Sequence, residues 1–283
     1  MTPHEMLAKI RSLPPISPAA LKLIGLLARP EPSNDHEQIV RVLNQDSVLT
    51  ARLLRACNSP SLGLAEPVAS LDQAVLFLGY RQIFQMAITL ALRPALAIPL
   101  QGYALEANDL CRHSLLAATA AEWVADDGTD FGVDSSIAFT VGLVHDLGKV
   151  IVNEFITRER FIAMREQVLQ GYSRIEAERG VMGTDHAEVG AGLLALWRLP
   201  QTLVEAVALH HKPVLEPEPW LSALGCLADA AAHRAVGIQM HSSDSQRESE
   251  AGILERFGFE GERLNLLLTR ILEPSVTSAL VSG

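Results

Sequence analysis

The chain has 283 residues, 48% of them hydrophobic and 20% charged, with 33 Asp and Glu against 23 Lys and Arg for a formal net charge of −10. This is an ordinary globular balance, long enough for about two domains at roughly 150 residues each, and it excludes disordered and collagen-like chains. The acidic excess argues against a general nucleic-acid coat and against a binder of anionic membranes.

Aromatics make up only 5%, and the abundance of Leu and Ala favours helices packed through aliphatic side chains. In chain order, Leu13-Pro14-Pro15-Ile16-Ser17-Pro18 is a rigid lead-in. Ser17 caps a helix there with Pro18 at its first position. Asn34 to Glu37 has capping-box spacing ahead of Ile39, Val42 and Leu43. A helix carrying Val48, Leu49, Leu53 and Leu54 starts at Asp46 or Ser47 and stops near Asn58-Ser59-Pro60. Ser70 to Gln73 is a second capping box, leading to Val75, Leu76 and Leu78, with Gly79 as C-cap. A helix over about 81–92 follows, ended by Pro94 and Pro99.

Longer helices are predicted over about 104–124, 135–154 and 158–170, with a Gly/Asp loop at 126–134 between the first two. Further helices cover 185–196, 201–211 and 219–236. Residues 239–250 are polar and read as a linker, and a last helix covers 262–272. Alternating strand patterns and internal repeats are missing, so the expected class is all-α. The expected organisation is an N-terminal helical lobe at 1–100, a second lobe at 101–238, and a linker with a helical extension at 239–283.

Cys57, Cys111 and Cys226 are odd in number and far apart, which fits a reducing compartment rather than a disulfide framework. Neither a signal-peptide pattern nor an uninterrupted 18-residue apolar run is found, so a cytoplasmic protein with no membrane span is expected.

Histidine placement carries the chemistry. His145-Asp146 sits inside the apolar run Gly142-Leu143-Val144-His145-Asp146-Leu147-Gly148-Lys149. Such a pair is costly to bury unless it is hydrogen-bonded or binds metal. Lys149 lies one turn later, within reach of an anion held above the pair. Asp109 and His113 share a helix face. His186 follows Asp185 at a helix start, His210-His211 close another helix, and Asp229 is a lone carboxylate among alanines. Imidazoles and carboxylates on several helices suit Fe, Mn, Ni or Zn, and two such ions are a common route to phosphate-ester hydrolysis. His4, His36, His233 and His241 are read as solvated or incidental. P-loop, GxGxxG and Gly-x-Ser-x-Gly signatures are absent. Arg41, Arg52 and Arg55 form only a modest basic stripe.

His145-Asp146, with upstream His113 and distal Asp229, resembles the HD metal-dependent phosphohydrolase superfamily, and His186 with His210-His211 resembles its two-metal HD-GYP branch. The N-terminal pattern is narrower. Leu13 to Pro18, Asp46 to Arg55, Asn58-Ser59, Ser70 to Val75 and Leu78-Gly79 together are similar to the HDOD domain, a bacterial signalling output family related to HD-GYP. The resemblance runs over about 10–235. It implies an HD-like helical bundle with an N-terminal helical lobe. It implies one or two divalent transition-metal ions on His113, His145, Asp146, His186, His210, His211 and Asp229, with Asp146 and Lys149 as candidate catalytic residues. Asp109 stands where the HD-GYP branch has Glu. Lys212-Pro213-Val214 follow His211 where that branch has Glu and then Gly-Tyr-Pro, which argues against cyclic-di-GMP hydrolysis.

The resemblance leaves two functions. One is a regulatory module that binds a partner or a ligand, with a nucleotide as one candidate. Its partners would be signalling proteins of a two-component or cyclic-dinucleotide circuit, docked through the N-terminal lobe. The other is an active metal-dependent phosphohydrolase of a nucleotide or phosphodiester. The sequence favours the first, because its HDOD-like features cover more of the chain.

Overall fold

The computed structural model describes residues 1–10, 16–27, 35–64, 66–127, 132–212, 220–236 and 244–273. The expectations resting on residues 13–15, Asn34, the centre of the 126–134 loop, Pro213-Val214, Pro219 and residues 239–243 lie outside them. Among the described residues the chain is helical, and the single β feature is an isolated bridge between Leu100 and Leu105. The all-α expectation is met.

The chain forms two compact units. Helix α1 (Pro3–Lys9), which the sequence reading lacks, opens on a Thr2/Glu5 capping box. It belongs to the larger unit, residues 1–13 and 96–273.

The smaller unit covers residues 14–95. It contains α2 (Pro18–Leu27), α3 (Asp35–Asn44), α4 (Ser47–Cys57), α5 (Leu71–Leu78) and α6 (Tyr80–Leu96), which crosses into the larger unit. Ser17, Asp46 and Ser70 cap as the sequence marks, but the expected Ser70/Gln73 box closes on one side alone, because Gln73 Oε1 accepts from Ala69 N instead of Ser70 N. Asp46 accepts from Leu49 N at 2.9 Å and from Ser17 Oγ at 2.6 Å. Ser70 accepts from Gln73 N, and Gly79 at φ +82° ends α5. Pro94 does not stop α6 but sits within its last turn. There, near the C-terminus, a proline disturbs little helix beyond it.

The larger unit holds α7 (Asp109–Asp126), α8 (Ser135–Val144), α9 (Gly148–Asn153), α10 (Arg158–Leu169), α11 (Arg174–Met182), α12 (His186–Leu196) and α13 (Gln201–Leu209). It continues with α14 (Leu221–Val236), α15 (Asp244–Arg256) and α16 (Gly261–Leu272). α7 packs on α8 and α14, α12 packs on α9 and α13, and α1 packs on α12. α15 and α16 pack back on α14.

Four expectations need correction. The predicted 104–124 helix starts five residues late, because Ala104 and Asn108 take left-handed φ values of 54° and 70°. The single 135–154 helix is broken at residues 145–147 into α8 and α9. α11 was missed, although its Ser173/Glu176 capping box is formed. The 239–250 linker is helical from Asp244, because Leu254 beyond it is buried and anchors α15 on α14.

Two glycines set the helix spacing. A Cβ on Gly142 would stand 2.6 Å from the Ala117 backbone, so α7 and α8 touch there through bare backbone. A Cβ on Gly148 would overlap the His186 carbonyl, and the same holds α9 against α12. These contacts draw the carriers of His113, His145, Asp146 and His186 together.

The segment Ser135–Asn153 has the length and mean hydropathy, 1.4, of a membrane span, yet 94% of it is buried within the protein. That is the setting of a core element.

Candidate metal centre

All seven residues expected to hold metal meet inside the larger unit. Two groups form, each with ligand atoms within 4.8 Å of one another: His113, His145, Asp146 and Asp229, and Asp146, His186, His210 and His211. Asp146 belongs to both. Its Oδ2 lies 3.4 Å from Nε2 of His113 and of His145, while its Oδ1 lies 3.2 Å from His186 Nε2 and 4.0 Å from His210 Nε2. One carboxylate therefore faces both groups with different oxygens. The break between α8 and α9 makes this possible. His145 caps α8 and Asp146 sits in the turn, so neighbouring residues both point inward.

The imidazoles are oriented from outside the cluster. His145 Nδ1 donates to the Gly142 carbonyl at 2.8 Å, and His210 Nδ1 donates to the Val207 carbonyl at 2.7 Å. A carbonyl only accepts, so Nδ1 carries the proton and Nε2 is turned toward the cluster. His186 Nδ1 donates to Glu178 Oε2 at 2.8 Å, and the His186 backbone N–H donates to the same oxygen at 2.8 Å. Outward Nδ1–H bonds of this kind are how proteins fix a ligating histidine. Glu178 is fully buried, and the sequence reading missed it. Only its position in the Ser173-x-x-Glu176 helix, facing the same side as Arg174, could have marked it.

The electrostatics match. Burial opposes ionisation of Asp146, but Lys149 and His145 hold its pKa well below the carboxylate range. Asp229 is likewise held low against burial by His233 and His113. Burial opposes the charge on His145, yet Asp146 and Asp229 raise its pKa to about 10. His186 rises to about 9 against burial through Glu178. Burial, followed by the charges on His145 and His186, depresses His210 to about 3. His113 falls to about 4, chiefly through burial. Three buried carboxylates, Asp146, Asp229 and Glu178, thus favour the charged forms of the imidazoles beside them, His145, His186 and His233, and a divalent cation would offset the same negative charge.

The donor set fits such a cation on a direct test. Asp146 Oδ1, His210 Nε2 and Asp229 Oδ1 are buried and have no hydrogen-bond partner of acceptable geometry. Asp229 Oδ1 is only 3.0 Å from His113 Nε2, so the two atoms converge without forming a hydrogen bond of good geometry. Buried polar atoms left so are costly, and mixed imidazole and carboxylate donors suit Fe, Mn, Ni or Zn.

Lys149 is 3% exposed and donates to Asp146 Oδ2. Asp109 stays apart from the cluster, accepting from Glu106 N at the start of α7. His233, read as incidental, is not. Its ring stacks on His113 at 4.6 Å, and its Nδ1 lies 3.0 Å from Glu250 Oε1 and 3.6 Å from Asp229 Oδ1. Its i, i+4 spacing from Asp229 was the available signal.

A cavity of about 700 Å³ opens on the cluster, lined by Lys149, His186, His211, Asp229 and His233 among others. Arg174, Arg179 and Lys212 add further positive charge to its wall. The size suits a small-molecule ligand.

Comparison with known proteins identifies the family and the fold. The HDOD domain family profile matches residues 13–213. An uncharacterized protein of Treponema pallidum (strain Nichols) is 25% identical over 201 residues, 68% of this chain and 36% of that protein. Ribonuclease Y of Opitutus terrae is 26% identical over 146 residues, 52% of this chain and 21% of that enzyme. This chain thus spans a little more than a third of the first of these curated relatives and about a fifth of the second. Among solved structures, an HDOD domain protein of unknown function from Geobacter sulfurreducens superposes with a TM-score of 0.69 at 24% identity, covering 99% of this chain and 91% of that one. A Shewanella amazonensis protein, provisionally described as a phosphohydrolase, gives 0.68 at 24% identity, covering 98% and 96%. These structures share the fold.

Proposed function

The chain belongs to the HDOD domain family, related to the HD metal-dependent phosphohydrolases, and on that premise we propose that its larger unit is a divalent-metal centre that hydrolyses a phosphate ester. The observation that carries the reading is the convergence of Asp146 Oδ1, His210 Nε2 and Asp229 Oδ1, all buried and unpartnered, in a cluster whose imidazoles are already turned inward. The sequence tilts toward a purely regulatory role, and the completeness of this cluster tilts the balance back.

His113, His145, Asp146 and Asp229 would hold one ion, and His186, His210, His211 and Asp146 a second. Metal bound there supplies Lewis acidity toward a phosphoryl oxygen and acidifies water for attack. The chain supplies the rest. Asp146 ties the two groups together, Glu178 holds the His186 ring, and Lys149 brings a fixed cation beside Asp146 for a phosphoryl oxygen. Arg174, Arg179 and Lys212 draw the anionic ester into the cavity. The ribonuclease relative is named for phosphodiester cleavage, which is the same bond class. Lys212-Pro213-Val214 in place of Glu and Gly-Tyr-Pro speaks against cyclic-di-GMP as substrate.

A regulatory role has its own support. The described residues of 14–95 contribute to neither ligand group, and they expose Leu76 (79%) and Phe77 (60%) on α5. That unit would dock a signalling protein of a two-component or cyclic-dinucleotide circuit, in the cytoplasm. The three buried free cysteines suit a reducing compartment.

The test is turnover of bis(p-nitrophenyl) phosphate by protein loaded with Mn, Fe, Ni or Zn. Metal-dependent hydrolysis that disappears in Asp146→Asn is expected. A fully loaded wild type that hydrolyses nothing would leave only the regulatory role.

A further inference from the structure

The cavity wall formed by the turn between α10 and α11 has a chemistry the metal ligands do not need. Seven consecutive residues line the cavity there, from Gln170 through Tyr172 and Arg174 to Glu176. The turn is fixed at both ends. Gly171 has φ +100°, and the amides of Gly171 and Tyr172 donate to the Val168 and Gln167 carbonyls. On the other side Ser173 and Glu176 close their capping box.

On this fixed backbone Tyr172 is 51% exposed, an aromatic ring on the cavity rim that the fold has not packed. Arg174, two residues on, is anchored inward. Its guanidinium lies 4.6 Å from the Tyr103 ring centroid and donates to the Gly102 carbonyl at 2.8 Å. Tyr103 has Lys149 Nζ 6.0 Å from its ring centroid, and Lys149 in turn binds Asp146. A path of contacts thus leads outward from the ligand cluster: Asp146, Lys149, Tyr103, Arg174 and, along the chain, Tyr172. The inner part carries fixed cations and the outer part an open aromatic face beside the Gln170 amide.

We propose that this wall is a nucleotide subsite: a nucleoside phosphate places its phosphate against the metal ligands and Arg174 and stacks its base on Tyr172. The inference rests on the phosphate-ester reading above and names its substrate class. The order of the wall carries it. Phosphates take Arg and Lys, and bases of any sequence stack on exposed aromatic rings. A cavity of about 700 Å³ has room for a mononucleotide. A sugar phosphate would use the cations but leave Tyr172 idle.

The test is calorimetric binding of adenosine 5′-monophosphate and of ribose 5-phosphate to the full Mn-loaded chain. The expected result is at least about tenfold tighter binding of the nucleotide, the size of one base-stacking contact. Tyr172→Ala should erase that tenfold gap and leave ribose 5-phosphate affinity unchanged, while Tyr172→Phe keeps the gap. The side chain is half exposed, so neither variant threatens the fold. Equal affinities in the wild type, a gap that survives in Tyr172→Ala, or no nucleotide binding at millimolar concentration would overturn the proposal. Turnover of bis(p-nitrophenyl) phosphate on the same preparations is scored separately. Turnover without a nucleotide preference sinks only the subsite, and a nucleotide preference without turnover sinks only the hydrolytic reading.

Discussion

Replacing Asp146 by Asn tests the centre most sharply, because it is the one residue common to both ligand groups. Oδ2 serves His113, His145 and Lys149, and Oδ1 serves His186 and His210. The amide keeps the shape and one accepting oxygen, so Lys149 retains a hydrogen bond. It loses the charge and is a weak metal ligand. Without metal, the cost is that of a buried charge pair made neutral on one side, about 1–3 kcal/mol.

With metal the two proteins should diverge. Ion at a hundred times its Kd stabilises the wild type by about 2.7 kcal/mol. At roughly 2–4 °C per kcal/mol for a domain of this size, that is a rise in Tm of about 5–10 °C. Asp146→Asn should show less than about 2 °C, since both groups are then one ligand short. The assay is thermal unfolding in chelator and in graded Mn, with elemental analysis of the dialysed proteins. An Asn variant with the wild-type Tm rise and metal content would refute the bridging role of Asp146.

Glu178→Gln should keep the fold but weaken metal binding by roughly ten- to a hundredfold, because the His186 ring loses its charged anchor; equilibrium dialysis reads this directly. Gly148→Ala should cost at least about 3 kcal/mol in a urea titration, since the new methyl meets the His186 carbonyl and its backbone neighbours. Ser17→Ala should cost about 1 kcal/mol in the smaller unit by removing its bonds to Asp46 and to the Ala19 and Ala20 amides. Ser17, then the Leu49 amide, lowers the Asp46 pKa. That stability is therefore present above about pH 4, the unfolded value, and is lost as pH falls through the lower folded value. A Ser17→Ala penalty as large at pH 2 as at pH 7 would contradict this assignment.

Much of the fold is legible because the chain punctuates it. Ser17, Asp46, Ser70 and Asp185 each cap the helix that their spacing announces. The candidate ligand set is legible for a related reason. Charged and imidazole side chains in runs such as 142–149 and 227–231 have no purely packing explanation, so their presence in sequence already states a site.

What the sequence hides is geometry without a composition signal. The turn at 145–147 falls on His145-Asp146-Leu147 inside a run that is otherwise apolar, and neither glycine nor proline occupies those three positions. The left-handed Ala104 and Asn108 delay α7 although neither is glycine. α15 looks like linker because its polar stretch has weak amphipathicity, although the helix packs on α14 and buries Leu254 near its far end. Glu178 and His233 escape notice for another reason: each acts through a neighbour on a different helix. Glu178 meets His186 across the α11–α12 turn, and His233 meets His113 across 120 residues.

Net charge is similarly blind to place. The chain carries ten more acids than bases, yet Lys149, Arg174, Arg179 and Lys212 all face one cavity. The acidic exterior still disfavours wrapping a long polyanion, because such binding needs many phosphate contacts spread over a surface. A single phosphate ester needs only a few, provided they are fixed before it arrives. Arg174 over Tyr103 and Lys149 on Asp146 are held in that way by contacts the protein makes for itself. On the reading proposed above, a cavity with these few fixed cations would select small phosphate esters over polymers, and the same charge arrangement predicts weak salt dependence. Raising salt from 50 to 200 mM should change adenosine 5′-monophosphate affinity by less than about tenfold, against the roughly 10³-fold or greater loss of a protein gripping six or more phosphates. A steep, polymer-like salt slope in that titration would show that the phosphate contacts extend well beyond the cavity.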